Sequence, residues 1–272
     1  NFSHSFNFAT ILAKSFQIEL SKVINFNVLE RVLIPYEGIP YQQNFFRFIK
    51  KNNNKILTIG YDHSAPHSVP LHLFFREGAP DCLILNGESQ KDFMVKNLEW
   101  SETKIKIAPS LRYKENSNEK FENILFLPWK IIDSTKILSD LKKYLEDIPD
   151  KFLNNVEVKT HPIGLDPKIQ NKLKKEIEDL FKKNYCKFDQ YIGKKISIFI
   201  GSTTGVIVAL EKGIEVVHIC FDPNYESYSQ CLWPNIEVKK ITKNIFTYKL
   251  KKRNSFILFG NNENNFEKYY LN

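Results

Sequence analysis

The chain has 272 residues, 42% of them hydrophobic, with 22 Phe and 12 Tyr. This length is more than one domain usually needs and suits two, and the apolar content excludes a disordered chain. Lys and Arg (39) outnumber Asp and Glu (31), so the net charge of +8 favours anionic partners such as nucleotides, acidic glycans or phospholipid headgroups. No recognised nucleic-acid-binding module accompanies the charge, so we expect no nucleic-acid partner.

The pattern of cysteines and the length of the apolar runs indicate the cellular compartment in which the protein acts. Cys82, Cys186, Cys220 and Cys231 occur without a CxxC pair, which argues against a zinc site and a disulfide framework and favours a reducing compartment. No apolar run reaches the roughly 18 residues of a membrane span, and no signal peptide is visible. We therefore expect a cytoplasmic protein, at most peripheral at the inner membrane. Because the chain starts with Asn1 and not Met, we expect its first domain to be incomplete.

The first half of the sequence alternates helical and strand patterns. In chain order these patterns predict a helix at 6–24, a strand at 28–35, a helix at 41–51, a strand at 56–61, a strand and turn at 80–87, a helix at 88–98 and a strand at 104–108. The polar, charged segment 114–123 has the composition of an interdomain linker. We therefore place a boundary near Asn116 and expect a first domain at 1–115.

The second half repeats the alternation, and we expect a second domain at 116–272. Its patterns predict strands at 124–128, 156–161, 196–200, 214–220, 245–250 and 255–259, with helices at 133–148, from Asp166-Pro167 onwards, and at 206–213. Asp133 and Asp166 are placed as helix N-caps. Short strand runs separated by helical segments predict an α/β fold with a parallel sheet.

A cluster of small polar residues follows the strand at 196–200. In open α/β sheets, ligands bind in the crevice past the carboxyl ends of the strands. Gly201 permits a tight turn there, and the hydroxyls of Ser202, Thr203 and Thr204 can surround a phosphate. The alternative for this cluster alone is an ordinary helix cap.

A second candidate follows the strand at 156–161. His161 and Lys159 could donate to the same phosphate from the neighbouring strand end, and Pro162 would stiffen the turn that aims the imidazole. An ordinary loop histidine is the alternative. Two polar motifs at successive strand ends favour a binding site over two unrelated loops.

Polar residues also follow the strands of the first half. Glu37 lies beside a glycine at a strand tip, where a carboxylate can act as a general base, although a turn glutamate is the alternative. His63 and Ser64 follow the next strand and are cleft candidates, and Glu88 and Arg112 extend that set. A metal site built from the histidines at 63, 67 and 72 is less favoured than hydrogen-bonding roles, because no carboxylate ligand set accompanies them.

Four stretches resemble motifs of a known family. They are Tyr36–Gly38, Gly60–Ser64 with Pro70–Leu73, Asp81–Glu88, and Thr160–Pro162 with Gly201–Thr204. Together they span most of the chain and resemble bacterial glycosyltransferases of the GT-B type in surface carbohydrate biosynthesis, particularly relatives of sialyl- and Kdo-type transferases.

The resemblance implies two Rossmann-like domains facing a cleft, with the nucleotide held by the second. It implies Glu37 as the base for the acceptor hydroxyl, His161 as the group that stabilises the departing phosphate, and the Ser202–Thr204 hydroxyls as the phosphate cradle. Such enzymes often place a glutamate for the ribose in the following helix, at a position occupied here by Val208, with Glu211 nearly a turn further on.

The implied activity is transfer of an acidic, CMP-activated sugar to a surface glycan or lipid-linked acceptor. It requires no cofactor beyond the nucleotide-sugar co-substrate. It also requires no metal, because fixed hydrogen-bond donors can stabilise the negative charge that develops on the leaving phosphate. Two alternatives remain open at this stage. One is another nucleotide-dependent enzyme on the same scaffold, such as a polyol-phosphate transferase or a UDP-sugar epimerase. The other is a nucleotide-sugar or glycan-binding protein without turnover.

Overall fold

The computed structural model describes residues 8–115, 120–147, 156–161, 164–185 and 196–260. These residues form a mixed α/β structure with seven α-helices and two sheets. The described chain divides into two compact units. Of the described residues, the first unit contains 8–64, 70–115 and 258–260, and the second contains 65–69 and the described part of 116–257.

The first unit is built on a four-stranded parallel sheet with the strand order β1-β2-β3-β4. Its elements are α1 (Phe8–Val23), β1 (Arg31–Pro35), α2 (Pro40–Asn52), β2 (Leu57–Tyr61), β3 (Cys82–Leu85), α3 (Glu88–Asn97) and β4 (Ile105–Ile107). Single 3₁₀ turns lie at Leu71–Leu73 and Glu102–Lys104. In the central strand β2, Gly60 pairs with Ile34 on one side and Leu83 on the other. All four strands therefore end at the same edge of the sheet.

The second unit contains a six-stranded mixed sheet with the order β6-β5-β7-β8-β10-β9. Its elements are β5 (Ile124–Phe126), α4 (Ser134–Asp147), β6 (Glu157–Lys159), α5 (Pro167–Tyr185), β7 (Ile196–Ile200), α6 (Gly205–Glu211), β8 (Glu215–Ile219), α7 (Pro223–Glu226), β9 (Ile236–Lys240) and β10 (Ile245–Leu250). Strands β5 to β8 are parallel, whereas β10 is antiparallel to both β8 and β9.

Alternation along the strands explains how the second unit forms its core. Ile196, Ile198 and Ile200 point to one face of β7 and pack with apolar residues of α4 and α5. Both helices begin where the sequence predicts. Oδ1 of Asp133 accepts the N–H groups of Thr135 and Lys136, and Oδ1 of Asp166 caps α5 in the same way.

Near the C-terminus, one predicted strand is absent from the structure and one strand of the structure was not predicted. The strand Ile236–Lys240 was not predicted. The sheet is mixed rather than parallel, because β10 is antiparallel to its neighbours β8 and β9. Residues 255–259 form no strand. Their neighbourhood is organised by Glu211, whose carboxylate accepts the N–H groups of Asn254, Phe256 and Ile257 at 2.5, 2.6 and 3.3 Å. A side chain thus satisfies the N–H groups that a ladder would otherwise use.

Residues 258–260 pack in the first unit and not in the second, where the predicted range 116–272 would place them. The N–H of Ser110 donates to the carbonyl of Leu258 at 2.7 Å, and the N–H of Leu258 donates to the carbonyl of Asn86 at 2.6 Å. Residues 65–69 pack in the second unit, where Tyr228 Oη and Trp233 Nε1 donate to backbone carbonyls of this segment, each at 2.8 Å. Among the described residues, no helix is both long enough and apolar enough to span a membrane.

Candidate functional site

The second unit reverses its strand order between β5 and β7. From β5 the chain moves to β6 on one side, whereas β7 and then β8 lie on the other side. In open α/β sheets such a reversal leaves a crevice outside the carboxyl ends of the two central strands, and ligands bind there. The candidate site of this unit is therefore the edge formed by the loops after β5, β6, β7 and β8.

Gly201 is the point where three of these loops meet. Its φ of +71° lies in the left-handed region, and a Cβ at this position would be 3.0 Å from the ring of Phe221 and 3.3 Å from Cβ of Pro128. The N–H of Gly201 donates to the carbonyl of Ile219 at 2.8 Å, and Nε2 of His218 lies 2.8 Å from the Gly201 carbonyl. The turn is thus fixed by β8 and has no room for a side chain.

The three hydroxyls predicted as a phosphate cradle follow this glycine directly. Ser202 is exposed, and Thr203 and Thr204 are half-buried. Oγ1 of Thr203 accepts the N–H of Gly205 at 3.1 Å, which closes the turn into α6. The hydroxyl-bearing loop therefore lies at the carboxyl edge of the central strand β7, partly open to solvent.

His161 lies in the loop after β6 and is half-buried. Its N–H donates to Oε1 of Gln170 at 3.1 Å, and Nε2 of the same glutamine donates to the carbonyl of Pro128 at 3.2 Å. Gln170, which is 2% exposed, therefore ties the loop after β6 to the loop after β5. Burial lowers the pKa of the His161 imidazole below its usual 6.5, so the ring is neutral at pH 7. Pro162 lies outside the described residues.

The expectation that His161 lies on the strand next to the hydroxyl loop was wrong. Strand β5 separates β6 from β7, which places the two strand ends about 10 Å apart at two strand spacings. Side chains of both loops could contact a single ligand only by extending towards each other across the end of β5. Lys159 is half-buried, and its ammonium lies 5.9 Å from the centroid of the Phe126 ring.

Trp129 is a residue at this edge that the sequence reasoning missed. It follows β5 and is 50% exposed, whereas Trp100 and Trp233 are 2% and 1% exposed. Its carbonyl accepts the N–H of Leu165 at 3.0 Å, so a hydrogen bond from the loop after β6 fixes the backbone of Trp129. An indole mounted in this way can stack on a base or a sugar. Its position directly after the strand run that ends in Pro128 is the sequence signal that was available.

Glu211 is a structural residue. Its carboxylate is 3% exposed and is engaged by the backbone N–H groups of the 254–257 segment. Burial raises the pKa of this carboxyl, while those N–H groups oppose the shift. A ribose-binding role is therefore not open to it in this arrangement.

In the first unit, the predicted base and a predicted cleft histidine are brought together. Oε1 of Glu37 lies 3.6 Å from Nε2 of His63, and both side chains are partly exposed. Glu37 is held by its backbone, since its N–H donates to Oε1 of Gln42 at 2.9 Å while Nε2 of Gln42 donates to the carbonyl of Pro35. The carboxylate is therefore mounted on a fixed turn at the carboxyl edge of the sheet.

Asp62, a neighbour of His63, was not among the predicted site residues. It is 4% exposed, its Oδ1 accepts the N–H of Ser64 at 3.1 Å, and its Oδ2 lies 2.5 Å from Nε2 of Gln90. Burial, with a smaller contribution from the charge of Glu37, raises the pKa of Asp62 to about 7. This carboxyl fixes the loop that carries His63 and Ser64.

The other two predicted site residues of this unit, Glu88 and Arg112, have their described contacts elsewhere than with Glu37 and His63. Glu88 is exposed at the start of α3 and pairs loosely with Lys91 at 3.9 Å. Arg112 is exposed and lies over the ring of Tyr113 at 5.4 Å. Both contacts are to side chains close in sequence.

No family model matches this chain, and neither does any curated protein or solved structure.

Proposed function

We propose that the protein is a metal-independent glycosyltransferase of the GT-B type, which transfers an acidic, CMP-activated sugar to a surface glycan or lipid-linked acceptor. The supporting observation is the meeting of three loops at Gly201, on the edge where the strand order of the second unit reverses. Three hydroxyls follow this glycine at the site where such sheets bind nucleotides. The enzyme would act in the cytoplasm, peripheral to the inner membrane.

The donor would bind at this edge through its phosphate. The hydroxyls of Ser202, Thr203 and Thr204 donate to the phosphate oxygens, and the imidazole of His161 donates an N–H from the loop after β6. Trp129 offers its exposed face to the base. The basic chain, with a net charge of +8, favours an anionic donor.

In the transfer step, the Glu37 carboxylate takes the proton of the acceptor hydroxyl while that oxygen forms a bond to the anomeric carbon. The bond from this carbon to the phosphate oxygen breaks, and the leaving nucleotide keeps the electron pair. His161 and the hydroxyls stabilise the charge that appears on the phosphate, so their effect is greatest in the transition state. His63, 3.6 Å from Glu37, orients the base.

Nucleotide binding tests the donor site directly. Trp129 is the one exposed tryptophan of the three, so its fluorescence should respond to a nucleotide at this edge. We expect CMP and CDP to quench it and to raise the melting temperature of the full chain, with weaker effects of UDP and GDP. Trp129→Phe should remove the fluorescence response but keep part of the increase in melting temperature that the nucleotide causes.

A matched pair of threonine variants locates the site. Thr203 Oγ1 accepts the N–H of Gly205 at 3.1 Å, and Thr242 Oγ1 accepts the N–H of Asn244 at 3.3 Å in the same local pattern. Thr203→Val should weaken CMP binding about tenfold or more, whereas Thr242→Val should not change it. Stabilisation by UDP alone would point to an epimerase or a hexosyl transferase. No response to any nucleotide would contradict the proposal.

A further inference from the structure

A second polar cluster adjoins the Gly201 turn in the second unit. It consists of His218 on β8, Cys220 directly after β8, and Glu226 at the end of α7. One potential ligand atom from each residue lies within 4.8 Å of the others, and Nδ1 of His218 is 3.5 Å from Sγ of Cys220. His218 and Cys220 are 0% exposed. Three chemically different ligand groups thus converge, two of them fully buried and the third, Glu226, half-buried.

We propose that His218, Cys220 and Glu226 bind one zinc ion through Nδ1, Sγ and a carboxylate oxygen. Imidazole, thiolate and carboxylate are the groups that zinc takes from proteins, whereas calcium and magnesium select oxygen ligands alone. A tetrahedral zinc with bonds of about 2.0–2.3 Å places neighbouring ligand atoms roughly 3.5 Å apart. The observed spacing of the imidazole nitrogen and the sulfur agrees with this geometry.

A hydrogen bond to the Gly201 carbonyl sets the tautomer of His218, so that Nδ1 is the ring nitrogen available to a metal. Nε2 of His218 lies 2.8 Å from the carbonyl of Gly201, which can only accept, so Nε2 carries the proton. Nδ1 then presents its lone pair towards Cys220. Metal-binding histidines are commonly oriented by such a bond from the other ring nitrogen to a backbone carbonyl.

The remaining ligands are also oriented by their surroundings. Oε2 of Glu226 accepts the N–H of Phe221 at 2.7 Å, which fixes the carboxylate. The hydroxyl of Tyr248 lies 3.4 Å from Nδ1 of His218, and it or a water supplies the fourth ligand. One zinc ion offsets the charges of a thiolate and a carboxylate that would be costly to bury together.

A metal at this place would have a structural role, because two of its ligands are fully buried and one of these, His218, also holds the Gly201 turn. Cysteine spacing gave no sign of it, since the three ligands follow a His-x-Cys-x₅-Glu spacing that no common zinc motif uses. The inference does not depend on the transferase activity, and failure of either leaves the other standing.

Cobalt uptake by the full chain is the first test. After removal of metals with a chelator, anaerobic titration with Co²⁺ should give about one equivalent bound and a thiolate-to-cobalt charge-transfer band. Cys220→Ser should abolish the band, whereas Cys231→Ser, at an exposed cysteine, should keep it. Cys82→Ser, at a half-buried cysteine of the first unit, is the second control.

Zinc content and thermal stability provide the second test, and Glu226→Gln covers the case in which Cys220→Ser does not fold. Chain purified without chelator should contain close to one zinc, and added zinc should raise the melting temperature of the metal-free chain. Glu226→Gln should weaken zinc binding at least tenfold while the chain stays folded. A chain that takes up no cobalt and melts at the same temperature with and without zinc would overturn the proposal, and so would a cobalt band that survives Cys220→Ser. The cluster would then be a hydrogen-bonded network only.

Discussion

In the first unit, Nε2 of Gln90 lies 2.5 Å from Oδ2 of Asp62, and both side chains are buried. The other amide atom of Gln90, Oε1, is buried without a hydrogen-bond partner among the described residues. The bond from Gln90 favours the charged carboxylate, whereas burial of Asp62 favours the neutral acid. Burial is the larger of the two effects, so Asp62 holds its proton to a higher pH than an exposed aspartate.

Asp62→Asn should stabilise the protein at high pH. Burial raises the folded-state pKa of Asp62 from 3.8 to about 7, so the folded protein keeps a proton that the unfolded chain loses. Stability therefore falls as the pH rises from about 4 to about 7, by on the order of 4 kcal/mol, and the whole penalty is present above pH 7. Thermal unfolding should show a higher melting temperature for Asp62→Asn at pH 8 and little difference at pH 4.

Asp81→Asn in the same unit provides a control of opposite sign. Burial opposes ionisation of Asp81, but the ammonium of Lys50 at 2.5 Å and two bonds from Thr58 outweigh it and lower the pKa. This substitution should lower the melting temperature at pH 8. An Asp62→Asn variant that is less stable than the wild type at pH 8 would show that the carboxylate, not the neutral acid, is the favoured form.

Glu37→Gln should abolish transfer and leave donor binding intact. The amide keeps the size of the side chain but cannot take a proton, so loss of a general base should lower kcat by roughly 10²–10⁴-fold. CMP binding, measured by tryptophan fluorescence, should be unchanged. Glu77→Gln, at a glutamate of the same unit whose side chain is 85% exposed, is the control and should keep full activity. Full activity of Glu37→Gln would place the base elsewhere.

His161→Ala should weaken both donor binding and transfer. Burial lowers the pKa of the free imidazole, and a bound phosphate favours its charged form and raises that pKa. Donor affinity of the wild type should therefore increase as the pH falls, because the bound histidine takes up a proton at a higher pH than the free one. In His161→Ala this increase should disappear. An identical pH dependence in both proteins would remove His161 from the phosphate site.

Gly201→Ala should destabilise the second unit and abolish nucleotide binding. An alanine at φ +71° costs about 1–2 kcal/mol, and its Cβ would displace the ring of Phe221. Gly213→Ala is a matched control, because φ is +78° and the Cβ would meet only the flexible end of Arg253. Both variants should melt at lower temperature, but Gly213→Ala should still bind CMP. Equal loss of binding in both would mean that stability alone controls it.

Glu211→Ala should destabilise the second unit by about 3 kcal/mol, because it leaves the buried N–H groups of the 254–257 segment without an acceptor. Glu237→Ala, at an exposed position on β9, should have little effect. Thermal unfolding measures both. Nucleotide affinity measured well below the melting temperature should be preserved in Glu211→Ala, whereas a selective loss of affinity would restore a ribose-binding role.

The sequence by itself determined most of the elements and the caps that begin them. Asp133 and Asp166 mark the starts of α4 and α5, and the apolar alternation at 196–200 matches β7, because these signals act between residues close in sequence. The sequence also placed Glu37 and His63 at the ends of their strands. It missed β9 and assigned a strand to 255–259, since pairing and competition for N–H groups depend on residues far along the chain.

Only the tertiary structure decided which loops lie side by side. In the sheet, β5 lies between β6 and β7. His161, after β6, is therefore two strand spacings from the hydroxyl loop after β7, not one. The same packing buries Asp62 against Gln90 and gathers His218, Cys220 and Glu226, three residues whose spacing in sequence carries no recognisable motif. Burial and proximity set the chemistry of these groups, and both are properties of the folded chain rather than of the local sequence.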